Sequence, residues 1–285
     1  MPRSENKILY VSDLDGTLLN EKSQISSLTA RTLNKLIDNG VNFTIATART
    51  PATVVGLMKD VKLNKPVVLM TGALIYDMAA DKYLSVSSFD ENVSQRLIEV
   101  ISSLGASPMI YYVDDELLHV AYRRPISNRQ RFFINQRKGT PYKKYVEVKG
   151  ALSAPKGTVL IFFMDAYERL EKIHRAISDI DGHCSYLYCD SLLPEQGYLE
   201  IYPSGTSKAN AIKRMAAELG ITDIVAFGDN LNDIPMFDIA YRAYAVDNAV
   251  EEVKNYATDI IASNVDNGVA RFIAEEYGLD VDRDL

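Results

Sequence analysis

Short apolar strands alternate with amphipathic helices at both ends of this 285-residue chain, and a different rhythm lies between them. Ile8–Ser12 reads as a strand, and Ser27–Asn39 as a helix with Leu28, Leu33, Leu36 and Ile37 at helical spacing, stopped by Gly40. A second strand is predicted at Val41–Ala46. Thr50 and Pro51 read as the N-cap and first position of a short helix, and a third strand runs over Val67–Met70. Such alternation builds βαβ units around a parallel sheet covered by helices on both faces.

From Ala73 to Val86 the pattern suggests a hairpin, and from Asp90 onward a helix–strand–strand–helix order replaces the alternation. MIYYVDDELLHVAY reads as two strands turning at Asp114-Asp115. TVLIFFM is a strand, Asp165 is the expected cap of the helix AYERLEKIHRAI, and HCSYLYC pairs with YLEIYP. Runs of adjacent strands imply an α+β module with an antiparallel sheet. Strict alternation returns with a helix over Ser207–Leu219, a strand at Ile224–Phe227, a helix near Asn232–Ile239 and a strand near Tyr244–Val246. A helix near Val250–Tyr256, a strand at Asp259–Ile261 and a last helix complete the chain. The expected fold class is α/β, a Rossmann-like doubly wound parallel sheet with an inserted α+β domain. The core takes residues 1–83 and 199–285, and the insertion takes 84–198.

The formal charge of −7 disfavours nucleic acid and anionic membrane as partners of the whole molecule. No run of 18 apolar residues and no signal-peptide core is found, so the expected location is cytoplasmic. Cys184 and Cys189 lie five apart on one predicted strand, on opposite faces and about 16 Å from each other, too far for a disulfide. His183 has no second pair of ligands to complete a zinc site. Residues 123–149 hold nine Arg or Lys and one acid, Glu147, a local charge of 9 − 1 = +8. A solvated basic face, attraction of an anionic substrate and nucleic-acid binding are the three readings of that stretch. The patterning specifies no oligomer.

In an open parallel sheet, ligands bind beyond the carboxyl ends of the strands, where the strand order reverses. Asp13, Asp15 and Asp229 sit at such ends, and Asn232 and Asp233 open the next helix. Carboxylates crowded into one crevice repel one another unless a hard divalent cation joins them; Mg²⁺ suits all-oxygen ligands and keeps room for phosphate. Asp13 can then attack phosphorus to give an aspartyl phosphate. Asp15 can protonate the leaving alcohol and later deprotonate water. Gly16 permits a sharp turn that aims backbone N–H groups at phosphoryl oxygens. Thr47 lies just past the second strand, where its hydroxyl can hold a phosphoryl oxygen. Lys208 opens a helix where the dipole disfavours a cation, by about 0.3–1 kcal/mol, so a nearby anion is the better explanation.

DLDGTLL, Thr47 after an apolar strand, Lys208 and GDNLND together resemble the haloacid dehalogenase (HAD) superfamily, in its Cof-type branch of capped phosphatases. TGALIYD, LEIYPSGTSKANAI, FGDNLNDIPMF and ASNVDNGVA extend the resemblance over nearly the whole chain. It implies a Mg²⁺-dependent phosphatase with Asp13 as nucleophile, Asp15 as general acid/base and Lys208 as the third catalytic residue. The implied metal ligands are Asp13, the Asp15 backbone carbonyl and Asp229, with Asp233 through water or behind them. Leu14, Thr47, Ala48, Arg49, Gly72 and Asn232 map to phosphate or substrate binding. The chain departs from the branch at Ala48, commonly glycine, at Thr71, usually asparagine, and at Val246-Asp247-Asn248, commonly MGN. The second aspartate, Asp15, argues for phosphate over carbon–halogen chemistry.

Simpler roles compete at each position. Asp13 and Asp15 can form turns, Thr47 can cap a helix, Arg49 and Lys208 can be solvated cations, and Asp233 can complement a helix dipole. Two other functions share the machinery. A receiver stores phosphate on an aspartate but needs neither Asp15 nor an inserted domain, and a phosphomutase returns phosphate to a sugar instead of water. The reading these residues favour is a phosphatase of small phosphorylated metabolites, with sugar phosphates foremost.

Overall fold

The structure, a computed structural model, describes residues 7–124, 126–190, 192–281 and 283. They divide into two compact units, one of those up to residue 85 together with those from 207 onward and one of those between 86 and 206. The chain begins with β1 (Ile8–Ser12), α1 (Ser27–Asp38), β2 (Asn42–Ile45), α2 (Pro51–Leu57), β3 (Val67–Leu69), β4 (Leu74–Asp77) and β5 (Lys82–Val86). The second unit carries α3 (Glu91–Ser103), β6 (Met109–Asp114), β7 (Leu117–Tyr122), α4 (Asn128–Arg137), β8 (Lys143–Glu147), β9 (Thr158–Ala166), α5 (Tyr167–Ile177), β10 (His183–Cys189) and β11 (Gln196–Pro203). The chain then returns to the first unit with α6 (Lys208–Glu218), β12 (Asp223–Gly228), α7 (Ile234–Ile239), β13 (Arg242–Val246), α8 (Glu251–Lys254), β14 (Asp259–Ile261) and α9 (Gly268–Glu276). The expected boundary after residue 198 falls inside β11, which is hydrogen-bonded into the second unit's sheet.

The first unit is built on a five-stranded parallel sheet in the order β14-β13-β12-β1-β2. This is the expected Rossmann-like core. Strand β1 lies inside the sheet between β12 and β2 and is buried from Leu9 to Ser12: Leu9 and Val11 are wholly inaccessible, and Tyr10 stacks on Phe227 of β12. From β1 the chain leaves to β2 on one side and comes back at β12 on the other, so the order reverses between β1 and β12. Helix α1 begins where the Ser26 hydroxyl accepts the Thr29 N–H, and it buries Leu33, Leu36 and Ile37.

One strand departs from expectation. Val67–Leu69 pairs antiparallel with β4 in a separate three-stranded sheet, β3-β4-β5, and among the described residues it is joined to the parallel sheet by an isolated Ala46–Val68 bridge instead of a ladder. Pro66, just before it, has no N–H to extend that bridge into a ladder.

The second unit has a six-stranded sheet, β10-β11-β9-β6-β7-β8, antiparallel except for the parallel β7–β8 pair. Alternate residues Ile161 and Phe163 of β9 and Leu199 and Ile201 of β11 point to one face, where Leu97, Ile98 and Ile101 of α3 and Leu170, Ile173 and Ile177 of α5 cover them. The β6–β7 turn lies one residue later than expected: Asp115 and Glu116 both have positive φ, the conformation of a two-residue type I′ hairpin. Asp165 does not cap α5. It belongs to β9, and its carboxylate takes the Ala166 N–H and Arg169. The basic stretch forms α4, with a Ser127–Gln130 capping box, and the edge strand β8. Cys184 and Cys189 are both free, and the His183 Nδ1 lies 2.7 Å from the Ile180 carbonyl. Among the described residues no helix is long and apolar enough to cross a membrane.

Leu97→Ala removes a wholly buried side chain between α3 and its sheet. It is expected to destabilise the second unit by about 2–5 kcal/mol, read as a lower urea midpoint.

Candidate active site

The β1–β12 ladder ends at Asp13, whose N–H donates to the Phe227 carbonyl at 3.0 Å. The chain then folds back under Leu14, whose carbonyl accepts N–H groups from Thr17, Leu18 and Leu19 and whose side chain is fully buried. Gly16 has φ +80, and a Cβ there would overlap the Asp229 carboxylate. Glycine thus lets the turn meet the tip of β12. Thr17 Oγ1 donates to Asp229 Oδ1 at 2.8 Å.

Lys208 is the first residue of α6, where the Ser207 hydroxyl accepts the Asn210 N–H at 3.1 Å. Its ammonium, only 2 % exposed, donates to Asp13 Oδ1 at 2.6 Å and Asp233 Oδ1 at 2.8 Å. The other Asp233 oxygen accepts the N–H groups of Asp229 at 3.1 Å and Asn230 at 3.2 Å. Asp233 therefore folds the Gly228–Asn230 tip around itself and shares the lysine. Oxygens of Asp13, Asp229 and Asp233 lie within 4.8 Å of one another.

Three carboxylates and one ammonium leave −3 + 1 = −2 when all are ionised. Burial pushes the Asp13 carboxyl up to about 7; Lys208 opposes this, while Asp233 and Asp229 reinforce it. Asp229 is pushed up to about 6, first by burial, and the Thr17 hydrogen bond works against the shift. Burial alone would lower Lys208, yet the charges of Asp13 and Asp233 hold it above its usual range. The asymmetry is physical: the lysine has two carboxylates, and each carboxylate has only part of one lysine.

The remaining expected residues are distributed around this cluster. Asp15 is not a member of the trio: its carboxylate, 51 % exposed, is gripped by Arg49 through Nε–Oδ2 at 2.7 Å and Nη2–Oδ1 at 2.6 Å. Thr47 is buried, and its hydroxyl accepts the Arg49 N–H at 3.2 Å. Thr50, the expected helix cap, makes no side-chain cap bond. Ala48 is exposed, as is Asn232, which lies on the 3₁₀ turn Leu231–Asp233 ahead of α7 rather than on the helix itself. Gly72 has φ +98, and a Cβ there would overlap the Ser207 carbonyl, so its place is against the start of the lysine's helix. The preceding Met70 and Thr71 are also left-handed, and their N–H groups bind the carbonyls of Arg49 and Thr47.

Three contributors were given no role from sequence. Thr17 orients Asp229; Asn248 donates to the Gly16 carbonyl at 2.7 Å; Asn264 donates to Leu19 O at 2.7 Å and, through its N–H, to Asn248 Oδ1 at 3.0 Å. Their signal was only their presence in segments otherwise matched to the superfamily.

Residues 10–273 match the haloacid dehalogenase-like hydrolase family. The chain belongs to this family. It is 28 % identical over 282 residues to the 5-amino-6-(5-phospho-D-ribitylamino)uracil phosphatase YwtE of Bacillus subtilis (strain 168), covering 92 % of this chain and 95 % of that one. A second phosphatase of the same description from that organism, YitU, is 27 % identical, with 95 % and 98 % covered. A solved haloacid dehalogenase-like hydrolase from Bacteroides thetaiotaomicron superposes with a TM-score of 0.76 over 94 % of this chain and 98 % of that one, at 23 % identity, a likeness of fold. The expected place among the superfamily's phosphatases is met, and with it the class of activity, phosphoric monoester hydrolysis.

Enzymes of this kind use a divalent metal, and the donor set here fits one. All three acids are hard oxygen ligands, buried or half-buried, with two excess negative charges that a dication cancels. Without metal, the raised Asp13 and Asp229 carboxyls bind more protons folded than unfolded, where the ordinary value is 3.8. Their contribution is therefore complete below about pH 4 and lost as pH rises toward about 7. Thermal melts in EDTA are expected to lose stability from this site over that window, and Asp229→Asn is expected to flatten the loss.

Proposed function

We propose that the protein hydrolyses small phosphate monoesters through a covalent phosphate on Asp13, with Mg²⁺ as its divalent ion. One observation carries the reading. At the strand ends where the sheet order reverses, a buried carboxylate fixed by a lysine stands beside an acid cluster of excess negative charge, while a second carboxylate two residues on lies outside that cluster. Neither turn formation nor packing requires that set.

Asp13 and Asp229, with the Asp15 backbone carbonyl, would hold the ion. When bound, it supplies positive charge that eases the approach of an anionic nucleophile to an anionic ester. Asp233 serves better as an organiser than as a ligand, because Lys208 and two backbone amides already engage its oxygens.

In the first half-reaction an Asp13 oxygen forms a bond to phosphorus and the ester P–O bond breaks. The leaving alkoxide takes a proton from Asp15. In the second, water attacks phosphorus, gives a proton to Asp15, and the bond to Asp13 breaks, releasing inorganic phosphate and restoring both aspartates. Lys208 fixes the attacking carboxylate and adds positive charge beside the equatorial oxygens. Thr47, Asn232 and the backbone around Leu14 and Ala48 are assigned to the phosphoryl group. Gly72 is assigned an indirect part, letting the lysine's helix start close by.

Two relatives are described as phosphatases of 5-amino-6-(5-phospho-D-ribitylamino)uracil, whose phosphate sits on a polyol chain. They support phosphorylated sugars, sugar alcohols and similar small metabolites as the substrate class. The test is phosphate release from a panel of such esters with Mg²⁺ or with EDTA. Steady release with Mg²⁺, its loss in EDTA, and loss of at least about 10³-fold in Asp13→Asn are expected. A long-lived phosphoprotein without release, phosphate transferred only within a sugar, or activity persisting in Asp13→Asn would overturn the reading.

A further inference from the structure

The Asp15–Arg49 pair is a well-formed ion pair whose arginine the chemistry above leaves without a task. Its two hydrogen bonds, 2.7 and 2.6 Å, join Nε and Nη2 to the two oxygens of one carboxylate, a parallel fork. Stability does not account for it: side chains 24 % and 51 % exposed place the pair in water, where such bridges contribute about 0–1 kcal/mol. What a fork does supply is direction. It fixes the plane of the carboxylate, which a half-exposed aspartate would otherwise sample freely.

The guanidinium is offered from a backbone that is itself pinned. The Arg49 N–H donates to Thr47 Oγ1 at 3.2 Å, and its carbonyl accepts the Met70 N–H at 3.1 Å. Met70 and Thr71 hold left-handed φ values of 49° and 57° to make that contact and the neighbouring one from Thr71 N–H to Thr47 O. Non-glycine residues adopt this conformation at a cost, which the surrounding structure must offset. The segment is thus tied at Thr47, Arg49 and Met70–Thr71, and its one long cationic side chain ends on Asp15.

We infer that Arg49 is a positioning residue for Asp15, holding it through both oxygens when it is ionised and through one when the other carries the proton, in the orientation from which it serves proton transfer, rather than a ligand of the phosphoryl group. This rests on the reading of Asp15 as the general acid/base. Removal of the fork breaks none of the hydrogen bonds that join Asp13, Lys208 and Asp233, and it frees the proton-transfer group. The effect then depends on how much the leaving group needs a proton. An alkyl phosphate yields a strongly basic alkoxide and needs it; an aryl phosphate such as p-nitrophenyl phosphate does not.

The test compares Arg49→Ala, Arg49→Lys, Asp15→Asn and the Arg49→Ala/Asp15→Asn double variant on an alkyl and an aryl phosphate. Intact-protein mass spectrometry after acid quench measures the phosphoenzyme. Expected for Arg49→Ala is a fall in kcat of about tenfold or more on the alkyl ester, part of the about 10²–10⁴ that general acid–base catalysis contributes. Phosphorylation by the aryl ester is expected to change less than about threefold, with phosphoenzyme accumulating because water activation is slowed. Lysine, a point charge without the fork, is expected to restore only part. In the Asp15→Asn background, Arg49→Ala should cost nothing further.

A rise in KM equal for both esters, no phosphoenzyme, and additive losses in the double variant would make Arg49 a phosphate ligand and overturn the inference. If Asp15→Asn alone turns over the alkyl ester normally, the acid/base reading fails first and the inference falls with it. Phosphate inhibition of each variant keeps the two failures apart: unchanged inhibition with lost alkyl turnover belongs to positioning, and weakened inhibition belongs to binding.

Discussion

One ammonium shared by two buried carboxylates organises the first unit's chemistry. Lys208 reaches Asp13 across 195 residues of sequence and Asp233 across 25, with 2 % of its side chain exposed. A lysine so deeply buried stays charged only because two anions hold it, and a buried charge stripped of its partner is strongly destabilising. Each anion is in turn tied elsewhere: Asp13 through the β1–β12 ladder, Asp233 through the amides of Asp229 and Asn230. The lysine thus joins the ends of β1, β12 and α6 into one rigid arrangement. It still neutralises less charge than the cluster contains. That deficit is the charge that a divalent ion would cancel.

The fold delivers these groups by topology. Strands β1 and β12 are neighbours because the chain turns outward from one to β2 and returns at the other. Their carboxyl ends point the same way, so two acidic tips far apart in sequence meet. Glycine appears where backbones must nearly touch: Gly16 against Asp229, and Gly72 against Ser207. Asn248 and Asn264 fasten the turn that follows Asp13, at the carbonyls of Gly16 and Leu19. Residues around the acid cluster thereby set its distances.

Much of this was legible in sequence because each signal was local. An apolar strand ending in Asp13-Leu14-Asp15-Gly16, a lysine at a helix start and a Gly228-Asp229 strand tip are each readable within a few residues, and the alternation around them gives the parallel sheet. What escaped depends on partners that lie elsewhere. Nothing near Asp15 announces that its partner is Arg49, and nothing near Asp233 announces that both its oxygens are engaged. Val67–Leu69 has the composition of a parallel core strand but finds its ladder in β4. Asp165 has the chemistry of a cap, yet β9 continues through it. The Ser127–Gln130 capping box starts a helix whose basic residues carry no apolar periodicity to mark it.

The central claim is that the cluster's excess charge is relieved by one divalent ion. Calorimetric titration of Mg²⁺ at pH 6.5, in buffers of differing ionisation enthalpy, measures the ion and the protons it displaces together. With Asp13 raised to about 7 and Asp229 to about 6, the account predicts one bound ion per chain and a net release of protons, both lost in Asp229→Asn. Binding that releases no proton, or that survives Asp229→Asn unchanged, would contradict it.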